Sequence, residues 1–127
     1  MDKTIVHFEI PAKNVEKLKS FYEKLFGWKF VFTSSVGMDY WMIQTVPTDE
    51  KGMLLRPGVN GGMYKKENDQ QKPTNWVQVD DIDALIKVLK KLGGKLIVEK
   101  MEIPGIGWSA VGVDPEGNQV AMMQPKM

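Results

Sequence analysis

The sequence predicts an α+β fold of two βαβββ modules, which form an eight-stranded curved mixed sheet around a shared cavity with the helices outside. Two observations support this prediction. Residues 5–28 alternate like a strand and then change to helical periodicity. The same pattern recurs without a gap about 67 positions further along the chain, which indicates an internal repeat.

The first module begins with a strand and a helix. Residues 4–10 are rich in β-branched and aromatic side chains, and Pro11 is expected to close this strand because proline cannot donate to a ladder. Asn14 is the expected N-cap of the helix, and Gly27 is its expected end. The residues at spacings of three and four predict one inward apolar stripe, formed by Val15, Leu18, Phe21, Tyr22 and Leu25.

Three further strands complete the first module. Residues 29–34 and 39–46 flank a Ser/Gly turn, so we expect them to pair antiparallel. Residues 47–59 form a loop rich in Pro, Gly and charge, for which a lid or an edge cover is the expected role. Residues 61–65 predict another strand, and the polar stretch 66–73 predicts a linker.

The repeat defines the second module. It superposes Asn14 on Asp81, where a carboxylate can cap a second helix, and Trp41 on Trp108. We therefore divide a single domain, residues 1–127, into module one at about 1–66 and module two at about 74–127. The predicted elements of module two are strand 75–79, helix 82–92, and strands 95–98, 108–113 and 119–123.

Composition narrows the classes of function. Net charge is +1 and the lysines are dispersed, which gives no indication of a nucleic-acid or membrane partner. The chain has no cysteine, so thiol catalysis and thiolate metal sites are excluded. No apolar run approaches the roughly 20 residues that span a bilayer, and the N-terminus lacks the apolar core of a signal peptide. A cytoplasmic location is the expectation.

Three motifs carry a resemblance to a known family. In chain order they are HFEIPAKNVEKLKSFYEKLFGWKF, VDDIDALIKVLKKLGGK and DPEGNQVAMMQ. Together they resemble the glyoxalase, bleomycin-resistance and extradiol-dioxygenase group, the vicinal oxygen chelate superfamily, and most of all its small members related to lactoylglutathione lyase. The resemblance implies the two-module fold and a homodimer closed by two-fold pairing.

The resemblance also implies where a metal would be held. Metal-dependent members place one ligand on the first and one on the last strand of each module. The matching positions here are His7, Thr74, Ala121 and either Gly62 or Met63. Only His7 is a good ligand for a divalent ion, and a catalytic site needs three or four such donors. We therefore expect no metal and no other cofactor, and a water-bound ion held by His7 and Glu9 is the weaker alternative. The single histidine excludes an iron site of two histidines and one carboxylate.

Other residues are candidates for ligand binding. Glu9 lies two residues after His7, on the same face of a strand, so the two could contact a cationic ligand or transfer a proton. Catalytic residues stay unassigned, with His7 and Glu9 as candidates. Tryptophans could stack on a planar or cationic ligand or could pack in the core. The expected ligand-binding residues are His7, Glu9, Trp41, Trp76, Gln78, Trp108 and Met123, and Tyr40 is a lesser candidate.

Two functions follow as alternatives. The first is a metal-free protein of the bleomycin-resistance type that binds an aromatic or cationic small molecule. The second is a lyase or isomerase of the glyoxalase type that acts through an enediolate, with His7 and Glu9 in the site. Loss of the metal-ligand positions favours the first.

Overall fold

The computed structural model describes residues 2–126, which form eight strands and two helices. In chain order the elements are β1 (Ile5–Ala12), α1 (Val15–Phe26), β2 (Lys29–Thr33), β3 (Tyr40–Gln44), β4 (Gly61–Lys65), β5 (Thr74–Gln78), α2 (Ile82–Lys91), β6 (Lys95–Ile103), β7 (Gly107–Val113) and β8 (Gln119–Pro125). Parallel and antiparallel pairs both occur. These elements confirm the predicted α+β class, the mixed sheet and the repeated βαβββ order, whereas the shared cavity stays a prediction.

The chain divides into two compact units. One unit is His7–Pro73, and the other joins the N-terminal residues through Val6 to the chain from Thr74 onward. The structural boundary thus lies within β1, whereas the sequence repeat places the whole of β1 in module one. The second unit gains this N-terminal segment partly because Gln78 N donates to Thr4 O at 3.0 Å.

In the unit His7–Pro73 the strand order is β1-β4-β3-β2. β4 is parallel to β1, and β2 and β3 form the predicted antiparallel hairpin. Alternate residues of β1, Phe8, Ile10 and Ala12, belong to a core that also contains residues of α1. His7 and Glu9 therefore point to the opposite face of the sheet. Ile43 and Met63 are fully buried at the centre of this core.

In the other unit β5, β8, β7 and β6 follow one another in that order. β8 is parallel to β5 and antiparallel to β7. Ile82 of α2, Val79 and Ala110 are fully buried in its core. Since Val77 also packs there, its neighbours Trp76 and Gln78 point to the opposite face of β5.

Both helices begin as the sequence predicts. Asn14 Oδ1 accepts from Lys17 N at 3.1 Å and Asp81 Oδ1 accepts from Ala84 N at 3.1 Å, so each side chain is an N-cap. Gly27 ends α1 in the left-handed conformation, with φ of 72°. Neither helix is long and apolar enough to cross a membrane, and these are the two helices that the described residues contain.

Two local predictions were wrong. Pro11 does not close β1, which continues to Ala12. Ala12 O accepts from Lys66 N, so the peptide groups of Ala12 and Ile10 face β4, and the nitrogen of Pro11 faces away from that pairing. Proline is therefore tolerated at this position because it removes no hydrogen bond from the β1–β4 ladder.

The apolar stripe of α1 is narrower than predicted. Val15, Leu18 and Tyr22 pack against the core, whereas Phe21 and Leu25 are 54% and 55% exposed. Trp28, which lies outside the helix, covers this part of the core instead. Its ring stacks on Tyr22 with centroids 5.3 Å apart.

Candidate functional site

Three polar side chains form a hydrogen-bonded chain on the sheet face opposite to the core of the unit His7–Pro73. His7 Nε2 lies 2.7 Å from the Tyr40 hydroxyl, and that hydroxyl donates to Glu9 Oε2 at 2.8 Å. His7 and Glu9 share a face of β1, and Tyr40 extends from the start of β3. We call His7, Tyr40 and Glu9 the polar trio.

The trio is assembled across a glycine. β4 lies between β1 and β3, and its Gly62 is paired with Glu9 on one side and with Met42 on the other. A Cβ atom at Gly62 would lie 1.9 Å from the Tyr40 hydroxyl oxygen and 2.1 Å from the ring carbon that bears it. Only glycine therefore lets the Tyr40 ring cross β4 and bring its hydroxyl to β1.

The same pairing decides between Gly62 and Met63 at the predicted ligand position. Gly62 is on the face of the trio, whereas Met63 is fully buried in the core. The equivalent pair in the other unit is Trp76 with Ala121. The final-strand position is thus small in both units and carries no donor side chain.

The donor set does not fit a divalent metal. Of the four positions, His7 is bonded to Tyr40, Thr74 donates to Gln119 Oε1 at 2.5 Å, and Gly62 and Ala121 have no donor. Within residues 2–126 no group of three or more His, Asp or Glu side chains could hold a metal ion. These residues therefore do not supply the three or four donors that a catalytic divalent metal requires.

Burial shifts the pKa values of two members of the trio, His7 and Tyr40. Desolvation lowers the pKa of His7 from 6.5 to about 4, so the imidazole is neutral at neutral pH. Tyr40 is 7% exposed, and burial, followed by the nearby charge of Glu9, raises the pKa of its hydroxyl far above its ordinary value. The pKa of Tyr64 is also raised, first by burial and then by Glu9. Both phenols are therefore uncharged beside a carboxylate.

The other candidates lie elsewhere. Trp41 is on the face of β3 opposite to Tyr40, where it packs against the core and meets Phe32 edge-on with centroids 5.3 Å apart. It also lines a groove of about 370 Å³ beside the start of α1. Trp108 packs against the core of its unit, and the amino groups of Lys100 and Lys126 each lie 5.7 Å from its ring centroid.

Three candidates share the non-core face of the unit that contains β5 and β8. Trp76 and Gln78 are on this face of β5, and Met123 is paired with Gln78 in β8. Trp76 Nε1 is buried and has no hydrogen-bond partner within residues 2–126. An indole N–H in that state is a donor available to an acceptor that enters from outside the chain.

Tyr40 is the site residue whose role sequence reasoning underestimated. A buried tyrosine is expected to find a partner for its hydroxyl, but whether Tyr40 or Trp41 faces β1 depends on strand register, which a one-residue change inverts. The usable signal was Gly62, because a glycine within a strand indicates the close approach of another group.

The fold is that of a glyoxalase-type module, and comparison with known proteins agrees on this class. The model of the "Glyoxalase/Bleomycin resistance protein/Dioxygenase superfamily" matches residues 4–122. The chain belongs to this superfamily.

Its similar relatives differ in what they are named for. The anthracycline biosynthesis protein DnrV of Streptomyces peucetius is 31% identical over 124 residues, which cover 91% of this chain and 44% of that protein. The chain thus spans less than half the length of this relative. A glyoxylase-like domain-containing protein of Didymella fabae is 29% identical over 120 residues, which cover 90% of this chain and 88% of that protein.

Solved structures show the same fold at low identity. Methylmalonyl-CoA epimerase from Mycobacterium tuberculosis superposes with a TM-score of 0.65 at 13% identity, over 97% of this chain and 88% of that one. A hypothetical protein from Bacillus halodurans C-125 superposes with a TM-score of 0.70 at 12% identity, over 100% of this chain and 97% of that one.

Proposed function

We propose that the protein binds a small aromatic or cationic molecule through the polar trio, without a metal ion. The observation that carries this proposal is a hydrogen-bonded chain in which a buried tyrosine joins a half-buried histidine and a half-buried carboxylate, on a face that the core does not use. Burying such groups costs free energy. A hydrophobic face would stabilise the fold at least as well, so a binding role explains why polar groups stand there.

The charge of Glu9 and the aromatic rings near it support an aromatic or cationic ligand. Glu9 is an acceptor for a cation, and the neutral Tyr40 and Tyr64 rings near it offer π faces to the same kind of group. Two matching relatives are named for anthracycline biosynthesis, which makes polycyclic aromatic compounds the first class to test. Trp76 and Met123, on the non-core face of the other unit, are proposed as a separate contact surface for a small molecule.

A calorimetric titration tests this function. Aromatic amines and their uncharged isosteres would be titrated into the wild-type protein, Glu9→Gln and the exposed control Glu23→Gln. We expect Glu9→Gln to weaken binding of the protonated amines by about tenfold or more, because a charge-assisted contact is lost. Glu23→Gln should bind like the wild type. Equal affinity in Glu9→Gln and wild type would refute a role for Glu9.

The second candidate is a lyase or isomerase that forms an enediolate. The observation that favours it is the hydrogen-bonded connection from His7 through Tyr40 to the Glu9 carboxylate. An imidazole held in position in this way can accept a proton from a carbon atom next to a carbonyl group. Proton NMR in D2O with a hemithioacetal of glutathione would show catalysed loss of that C–H signal. Exchange that persists in His7→Asn would exclude His7 as the base.

A further inference from the structure

We propose that the polar trio is a directed proton relay whose open end is His7 Nδ1, and that the site therefore selects aromatic ligands that carry a hydroxyl group. This inference rests on the proposed function, because it names the ligand class of the same site. It states which atom donates in each hydrogen bond of the trio. It also states that the ligand must present a hydrogen-bond donor to the trio.

The direction follows from counting protons. A tyrosine hydroxyl has one proton, and the Tyr40 hydroxyl gives it to Glu9 Oε2. The contact between the same hydroxyl and His7 Nε2 must then be one in which the hydroxyl accepts. His7 Nε2 therefore carries the ring proton, and Nδ1 carries the lone pair, because a neutral imidazole has one N–H.

The Nδ1 atom is open to a ligand. His7 makes no other hydrogen bond to residues 2–126. In that range Trp76 Nε1 is the one fully buried side-chain nitrogen or oxygen without a partner, so His7 Nδ1 keeps contact with solvent. Because the ring is neutral, its lone pair can accept a hydrogen bond from a molecule that lies on this face.

The relay can move one proton without leaving a charged histidine. A ligand hydroxyl would give its proton to Nδ1 while Nε2–H passes to the Tyr40 oxygen and the Tyr40 proton passes to Glu9 Oε2. The ligand becomes an oxyanion, Glu9 becomes a carboxylic acid, and His7 ends neutral in the other tautomer. No oxidant, reductant or metal enters this balance. Gly62 is what keeps the path short, since its missing side chain leaves room for the Tyr40 ring.

The first test is the tautomer of the free protein. The chain has a single histidine, so its two ring nitrogens give one unambiguous set of signals in a ¹⁵N-detected NMR correlation. At neutral pH we expect the proton on Nε2 in the wild type and a mixture of tautomers in Tyr40→Phe, which loses the acceptor. A proton on Nδ1 in the wild type would overturn the relay.

The second test compares ligands that differ in one atom group. The probes are 2-naphthol, 2-methoxynaphthalene and 2-fluoronaphthalene, so that loss of the donor can be separated from added size. We expect 2-naphthol to shift the Nδ1 signal and to bind about tenfold or more tightly than both others, because they leave the lone pair unpaired. Equal affinity of the three would overturn the selection.

The two tests also separate this inference from the proposed function. If none of the three probes binds, but aromatic amines do, the proposed function stands and the hydroxyl selection is refuted. If no aromatic compound of either kind binds, the proposed function and the selection both fail, and the tautomer still decides the direction of the relay.

Discussion

The substitution Gly62→Ala probes the geometry on which the trio depends. A Cβ atom there would lie 1.9 Å, 2.1 Å and 2.3 Å from the hydroxyl oxygen, the carbon that bears it and a neighbouring carbon of Tyr40. No rotation of a methyl group relieves these contacts, so the ring of Tyr40 must leave its position. Both hydrogen bonds of its hydroxyl are then lost.

The expected cost combines two terms. Overpacking of a well-packed site costs about 1–3 kcal/mol. Loss of two hydrogen bonds adds about 1 kcal/mol each, since a typical bond contributes 0.5–1.5 kcal/mol. We therefore expect Gly62→Ala to lower the free energy of unfolding by about 3–5 kcal/mol, measured by urea denaturation with a constant m-value.

Two variants show whether Tyr40 is the cause. Gly52 has φ of 83° and no atom within 4 Å of a built Cβ, so Gly52→Ala measures left-handed backbone strain without a clash, about 1–2 kcal/mol, and Gly62 has no such strain. In a Tyr40→Leu background, which removes the clashing atoms, Gly62→Ala should cost clearly less than in the wild type. The reasoning is refuted if Gly62→Ala costs no more than Gly52→Ala, or if the Tyr40→Leu background leaves its cost unchanged.

Four further predictions follow from the structure. Tyr40→Phe should lower the free energy of unfolding, measured by urea denaturation, by about 1–3 kcal/mol, because His7 and Glu9 lose the hydroxyl that both contact. The control Tyr22→Phe should leave this free energy nearly unchanged. The pKa of His7 falls from 6.5 to about 4 on folding, so the folded state binds fewer protons than the unfolded state between these values. The free energy of unfolding should decrease as pH falls from about 6.5 to 4, by up to about 3 kcal/mol, and a His7→Asn curve should lack this part. Parallel curves for the two proteins would contradict the burial of neutral His7. Asp81→Ala removes an N-cap of α2 and should lower the melting temperature by an amount equivalent to about 1 kcal/mol; an unchanged value would show that the cap contributes nothing. Light scattering should give twice the mass of one chain, as expected for a homodimer. The mass of a single chain would contradict this prediction.

Local signals in the sequence predicted most of the fold. Alternation in residues 4–10, the cap at Asn14 and the glycine at position 27 each act over a few residues, so they can be read without tertiary context. The internal repeat predicted the elements of module two, because equivalent positions in the two copies are expected to take the same secondary structure. Pro11 could not be placed correctly, since its tolerance depends on which neighbour the peptide groups of β1 face.

The site was less predictable because side-chain faces depend on pairing. His7 and Glu9 were placed on one face by alternation within a single strand, and the structure agrees. Trp41 and Tyr40 are adjacent, so they must point to opposite faces, and only the register of β3 against β4 decides which one reaches β1. That register brings the hydroxyl of Tyr40, rather than the indole of Trp41, to His7.

The most direct test of the central claim is NMR mapping of a bound ligand on the uniformly labelled protein. A titration with the tightest aromatic compound from calorimetry would be followed through backbone and side-chain shifts. The account predicts that the largest changes lie at His7, Glu9, Tyr40, Gly62 and Tyr64, on the face of the polar trio. Changes centred instead on the groove formed by Lys13, Asn14, Trp41 and Lys65 would contradict it and would place the ligand beside α1.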